Sequence, residues 1–168
     1  ISTNFINYSW KIFGIGLYAG AVNPLSISNS TFRGNSAGSL LAYADGGALY
    51  ITGNSAFSVE NCVFDANTLP GVTTAPYVTA RRGSAIHAYN TTQGVISDCL
   101  LTGSSGGNAQ EMIYVDIQTT NRVTLRNTVM MGKQEGGGIF KAGTGSLILT
   151  NCLVAYAGSH GLQVTNNG

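Results

Sequence analysis

The sequence predicts an all-β solenoid, one chain winding through about five to six stacked coils of short parallel strands. Three observations lead there. A twelve-residue spacing from an aliphatic residue to a polar anchor recurs five times: Leu17 to Asn29, Leu49 to Asn61, Ile86 to Asp98, Val115 to Asn127 and Ile139 to Asn151. The same pattern flanks every anchor. Two residues before it stands Ile27, Val59, Ile96, Leu125 or Leu149. One after it stands a small residue, Ser30, Cys62, Cys99, Thr128 or Cys152. Three after it stands a larger apolar one, Phe32, Phe64, Leu101, Met130 or Val154. Finally, no window sustains the i, i+3, i+4, i+7 stripe of a helix. An internal period decides the architecture before local propensity does.

Each half-coil opens on a strand, because its apolar positions alternate with a period of two and stretches such as 48–51 and 123–125 are rich in strand formers. No single coil can bury its own apolar face. Stacking coils at about 4.8 Å builds a continuous interior. The anchors Asn29, Asn61, Asp98, Asn127 and Asn151 come next. Asn and Asp tolerate the left-handed backbone of a sharp corner, and stacked amides can bond to one another along the axis. Successive anchors are 32, 37, 29 and 24 residues apart. The variation falls between the position six after the anchor (Asn35, Asn67, Ser104, Lys133) and the next aliphatic marker, so all insertions should leave from one corner. The longest is a corner loop at 68–82, which holds Pro70, Gly71 and Pro76 and is expected to be exposed. The chain, 1–168, then reads as a single solenoid segment. Neither end carries an obvious cap, and the expectation is a fragment of a longer solenoid.

Charged residues make up only 9% of the 168, and the net charge is +1. That leaves no electrostatic case for binding nucleic acid. No run of 18 apolar residues is present, so no membrane span is expected. Cys62, Cys99 and Cys152 share one register position. Cys152 stands two coils from Cys99, about 9.6 Å away by strand spacing, too far to bridge. Cys62 and Cys99 lie on adjacent coils, where a bridge is geometrically conceivable. Small buried thiols in an interior ladder are the simpler reading. CxxC spacing is absent, so no metal is expected. Asn7-Tyr8-Ser9, Asn29-Ser30-Thr31 and Asn90-Thr91-Thr92 match the glycosylation sequon. Asn29 belongs to the ladder, which leaves Asn90 and Asn7 as glycosylation candidates on a secreted chain.

Certain motifs resemble a known group. Gly46-Gly47-Ala48-Leu49 followed by Phe64-Asp65-Ala66-Asn67 resembles the GGA(I/L/V) and FxxN repeats of chlamydial polymorphic outer-membrane proteins, and Phe32-Arg33-Gly34-Asn35 gives a second FxxN. Gly83-Ser84-Ala85-Ile86 and Gly136-Gly137-Gly138-Ile139 are degenerate forms of the first half. The whole resembles the right-handed single-stranded parallel β-helix, or pectin-lyase-like, superfamily. That resemblance implies an extracellular setting, and either a scaffold or a protein that acts on polysaccharides.

The superfamily's hydrolases cluster Asp residues on neighbouring coils, and its lyases use Arg or Lys, often with Asp-bound calcium. Cleaving a sugar link by acid and base needs two facing carboxylates. Asp45, Asp65, Asp98 and Asp116 occupy different positions in the coil, and Glu60, Glu111 and Glu135 complete no pair. His87 and His160 lie far apart, and Arg81-Arg82 reads as a loop edge. Asp65 falls one coil above Arg33, which predicts a surface ion pair. No catalytic set and no cofactor is expected. Two outward stripes are better candidates. One residue after each marker stands Tyr18, Tyr50, His87, Asp116 or Phe140. Of these Tyr18, Tyr50, His87 and Phe140 are glycan-binding candidates, with plain cross-coil stacking as the alternative. Two residues after each anchor stands Thr31, Val63, Leu100, Val129 or Leu153. The apolar members, Val63, Leu100, Val129 and Leu153, are partner-contact candidates.

The functional expectation is therefore a non-enzymatic extracellular or cell-surface β-helical scaffold or adhesin segment. It would belong to a larger fibre or filament, with other copies or subunits of that assembly as partners. The alternative is a polysaccharide-binding or polysaccharide-cleaving protein whose catalytic residues lie outside this segment.

Overall fold

The computed structural model describes residues 4–5, 11–37, 43–53, 56–69, 82–103, 105–106, 111–118, 120–132, 137–155 and 157–165. Asn7, Ser104, Lys133 and most of the expected corner loop lie outside them. All strand pairs are parallel, and each strand pairs with its equivalents in neighbouring coils. Three sheets run the length of the stack. Sheet I has six strands: Leu17–Gly20, Leu49–Thr52, Ile86–Tyr89, Ile113–Asp116, Ile139–Ala142 and Leu162–Val164. Sheet II has five: Leu25–Ser28, Ala56–Glu60, Gln93–Ser97, Arg122–Arg126 and Ser146–Thr150. Sheet III also has five: Thr31–Arg33, Val63–Asp65, Leu100–Thr102, Val129–Met131 and Leu153–Ala155. Smaller pairings flank these. One joins Lys11–Phe13 to Tyr43–Asp45. Another brings Thr68–Leu69, at the start of the expected loop, into a strand beside Ser36–Ala37.

Ile27, Val59, Ile96, Leu125 and Leu149 stand in one axial column. The first four are buried, and Leu149 opens onto the end of the stack. Phe32, Phe64, Leu101, Met130 and Val154 form a second interior column. There Phe32 and Phe64 stack face to face at 4.9 Å. Burying whole aromatic and aliphatic side chains stabilises such a core by about 1.5–3 kcal/mol each. In sheet I one inward position filled by Ala19, Ile51, Ala88, Val115 and Val164 in the other coils holds a charged residue type in the fifth. Lys141 stacks between Val115 and Val164, is buried, and donates from Nζ to the Gly143 carbonyl.

The anchors form the corner between sheets II and III. Asn29, Asn61, Asp98, Asn127 and Asn151 have φ of 49°, 51°, 55°, 48° and 50°. Their amides bond along the axis. Asn61 Nδ2 donates to Asn29 Oδ1 at 2.6 Å, Asn127 Nδ2 to Asp98 Oδ1 at 3.0 Å, and Asn151 Nδ2 to Asn127 Oδ1 at 3.0 Å. The small residue after each anchor closes the same turn. Ser30, Cys62, Cys99, Thr128 and Cys152 each donate to the carbonyl two residues back. The three thiols are free.

The fourth coil corrects the register. Ile113, not Val115, pairs with Ile86 and Ile139. The connection from sheet I to sheet II takes five residues there, 117–121, against three in the coils on either side. The half-coil is therefore not of constant length. Ile113 and Val115 both point inward, so alternation alone could not choose between them. Asp116 consequently leaves the aromatic stripe, and Tyr114 takes its place.

Candidate functional site

On the outer face of sheet I the aromatic stripe is continuous. Tyr18 and Tyr50 stack at 5.6 Å. His87 meets Tyr50 edge-on at 4.9 Å and Tyr114 at 4.8 Å, and Tyr114 stacks on Phe140 at 5.0 Å. These side chains point away from the solenoid interior, yet the middle of the stripe is covered. Tyr50, His87 and Tyr114 are 6%, 1% and 7% exposed, whereas Tyr18 is 53% exposed and Phe140 half-buried. Phe13 packs on Tyr50 at 4.8 Å and the Arg82 guanidinium lies 5.0 Å over Tyr114. Contacts of this kind each contribute about 0.5–1.5 kcal/mol.

A polar cluster adjoins the covered part. Asp45 ends a strand just before sheet I, and Arg82 bridges to it from the next coil. The Arg82 N–H donates to Asp45 Oδ1 at 3.1 Å. Asp45 Oδ2 lies 3.7 Å from His87 Nδ1. Glu111 enters from the fourth coil, where its carbonyl accepts from Ser84 N at 2.9 Å and from Ser84 Oγ at 3.3 Å. Its Oε2 and both His87 ring nitrogens are buried without hydrogen-bond partners.

Burial sets the electrostatics. It pushes the Asp45 carboxyl up to about 6, against the pull of Arg82. It raises Glu111 to about 7. It holds His87 down to about 3, with Arg82 adding to the effect. His87 is therefore a neutral imidazole, and its approach to Asp45 is not an ion pair. The Tyr50 phenol is raised to about 12, first by burial and then by Asp45. Among the described residues, no group of three His, Cys, Asp or Glu is placed to hold a metal.

The architecture has a counterpart in sequence. The family model described as the right-handed β-helix region matches residues 47–168, more than half of the chain. The chain belongs to the right-handed β-helix family. No curated protein and no solved structure matches it significantly. The match is to the broad β-helix family and does not extend to the chlamydial repeats.

Within this β-helix the other candidates separate onto different faces. Val63, Leu100, Val129 and Leu153 align on the outer face of sheet III. Leu100 and Leu153 are 38% and 54% exposed, and Val63 and Val129 are half-buried. Arg33 and Asp65 make the expected surface pair, 2.9 Å apart, and Asp65 also accepts from Thr102 Oγ1. Asn90 occupies a left-handed corner between sheets I and II, with φ 52°. Asn29 accepts a ladder bond, as expected for an anchor. No helix among the described residues is long and apolar enough to cross a membrane.

Asp45, Arg82, Glu111 and Tyr114 are the members that the sequence pattern did not bring together. Asp45 and Arg82 each stand four residues before an inward marker of sheet I, which was a usable signal. Glu111 stands two before Ile113, level with Ser84, but four before Val115, so the same count would have set it beside Asp45 and Arg82 even with Val115 as the marker.

Proposed function

We propose that this β-helix is a non-enzymatic scaffold segment of a larger extracellular or cell-surface assembly. The observation that carries the reading is where its functional groups lie. The polar and aromatic groups with chemical potential, Tyr50, His87, Tyr114, Asp45 and Glu111, are packed away in the side wall of the rod. Sheet III meanwhile offers an outward apolar line, Val63, Leu100, Val129 and Leu153, to a neighbouring subunit. Stacked backbone ladders supply stiffness, and corner segments and outward stripes supply contacts. Incubating the chain with acidic and neutral polysaccharides tests this. Neither retention nor release of new reducing or unsaturated ends is expected, and cleavage would overturn the reading.

A second reading, a polysaccharide-binding or polysaccharide-cleaving β-helix, is favoured by one observation. Two carboxyls of raised proton affinity, Asp45 and Glu111, share a corner with Arg82 beside the aromatic stripe. Acid and base roles need carboxyls whose affinities are shifted in this direction. Cleavage lost in both Asp45→Asn and Glu111→Gln would support it. Retention without cleavage that depends on Tyr18 and Phe140 would support the binding form.

A further inference from the structure

The corner leading into sheet I gathers four titratable side chains from three consecutive coils. Asp45 comes from the second coil, Arg82 and His87 from the third, and Glu111 from the fourth. Main-chain bonds fix their order: Gly46 N donates to Arg82 O and Ser84 N to Glu111 O, each at 2.9 Å. Asp45 receives one bond from Arg82 N, and its other oxygen faces an imidazole that offers no hydrogen bond. Glu111 Oε2 is buried with no partner at all. Among the described residues, Arg82 acts on both carboxyls, Asp45 raises Glu111 further, and His87 faces Asp45; the carboxyls in turn raise Tyr114, Asp45 raises Tyr50, and Asp116 also acts on Tyr114. The charge balance is uneven. Two buried acids feel one guanidinium, which lies over Tyr114 and ion-pairs with neither, and a buried site of this kind disfavours holding both as anions.

We propose that this corner is a pH-sensitive latch: in mild acid Asp45 and Glu111 are neutral acids buried at the junction of three coils, and their ionisation as pH rises through neutrality weakens that junction. The proton balance agrees in sign. Asp45 moves from 3.8 to about 6 and Glu111 from 4.5 to about 7 on folding. The stability they contribute is complete below their unfolded values and is lost as pH rises through 6 and 7. His87 works in the opposite direction, falling from 6.5 to about 3. Its share is complete above 6.5 and is lost as pH falls toward 3. Between pH 5 and 8 the two acids give up more than His87 returns.

Thermal melts of the chain between pH 5 and 8 test the latch. The Tm is expected to fall by about 5 °C over that range. In the Asp45→Asn, Glu111→Gln double variant the fall should vanish. A carbon-detected NMR titration of the unmodified chain needs no variant to fold, and it should place the Glu111 carboxyl midpoint near neutrality. A Tm that is constant or rises with pH, an unchanged fall in the double variant, or both carboxyls titrating near 4 would overturn the proposal.

Discussion

Asn127 donates its side-chain amide to Asp98 Oδ1 at 3.0 Å, and Asp98, which carries a carboxyl where the other rungs carry an amide, has no N–H to pass on to Asn61. The donor chain of the corner ladder therefore stops at the acidic rung. On either side of it, Asn151 donates to Asn127 and Asn61 donates to Asn29.

Asp98→Asn should complete the ladder. An added net hydrogen bond is worth about 0.5–1.5 kcal/mol, and the exposed setting favours the lower end. Urea unfolding of the variant should show a higher midpoint with an unchanged m-value. A lower midpoint would mean that the carboxylate itself is needed at this corner.

Asn61 combines two properties, a left-handed backbone and a ladder bond. Ala supplies neither, whereas Gly supplies the backbone. Asn61→Ala should cost about 1–2 kcal/mol, and Asn61→Gly clearly less. Equal losses would show that the ladder bond dominates and that the corner conformation contributes little.

The thiols should differ in reactivity. Cys99 is buried, donates to Ser97 O at 3.1 Å, and is pushed up by burial to about 11. The thiolate is the reactive species, so native Cys99 should label at least about tenfold more slowly than half-buried Cys152 at pH 8. Mass spectrometry of the partly labelled native chain reads this directly. Peptide mapping should also find Cys62 and Cys99 as separate thiols.

Lys141 occupies an interior position between two valines. Met keeps most of its volume and drops the charge. Lys141→Met should leave stability unchanged or raise it by about 1 kcal/mol, because apolar residues often replace buried ions at no loss. Lys141→Ala should cost about 1–3 kcal/mol through the lost aliphatic stem. Chemical denaturation of both variants checks the order.

The corner ladder and the interior columns were legible because each rests on strict local rules. Left-handed turns select Asn or Asp, and strand alternation selects inward residues. Asn29 and Ile27, with their four equivalents each, sit where counting placed them. Counting failed where alternation is degenerate. Ile113 and Val115 are both inward, so a two-residue insertion between sheets I and II passed unnoticed and put Asp116 where Tyr114 belongs. The Asp45, Arg82 and Glu111 cluster lies just after the variable corner, where distance from the anchor carries no register. Burial of Tyr50 and His87 was also illegible. Alternation says that a side chain points away from the coil interior, but not whether other chain segments cover it.

Most of the length variation between coils enters after sheet III, beyond the last stacked interior column and before sheet I begins. Lengthening the polypeptide there moves no residue out of its axial stack. That makes this edge of the rod the natural place for editing: segments can be gained, lost or exchanged there while the three stacked sheets keep their spacing.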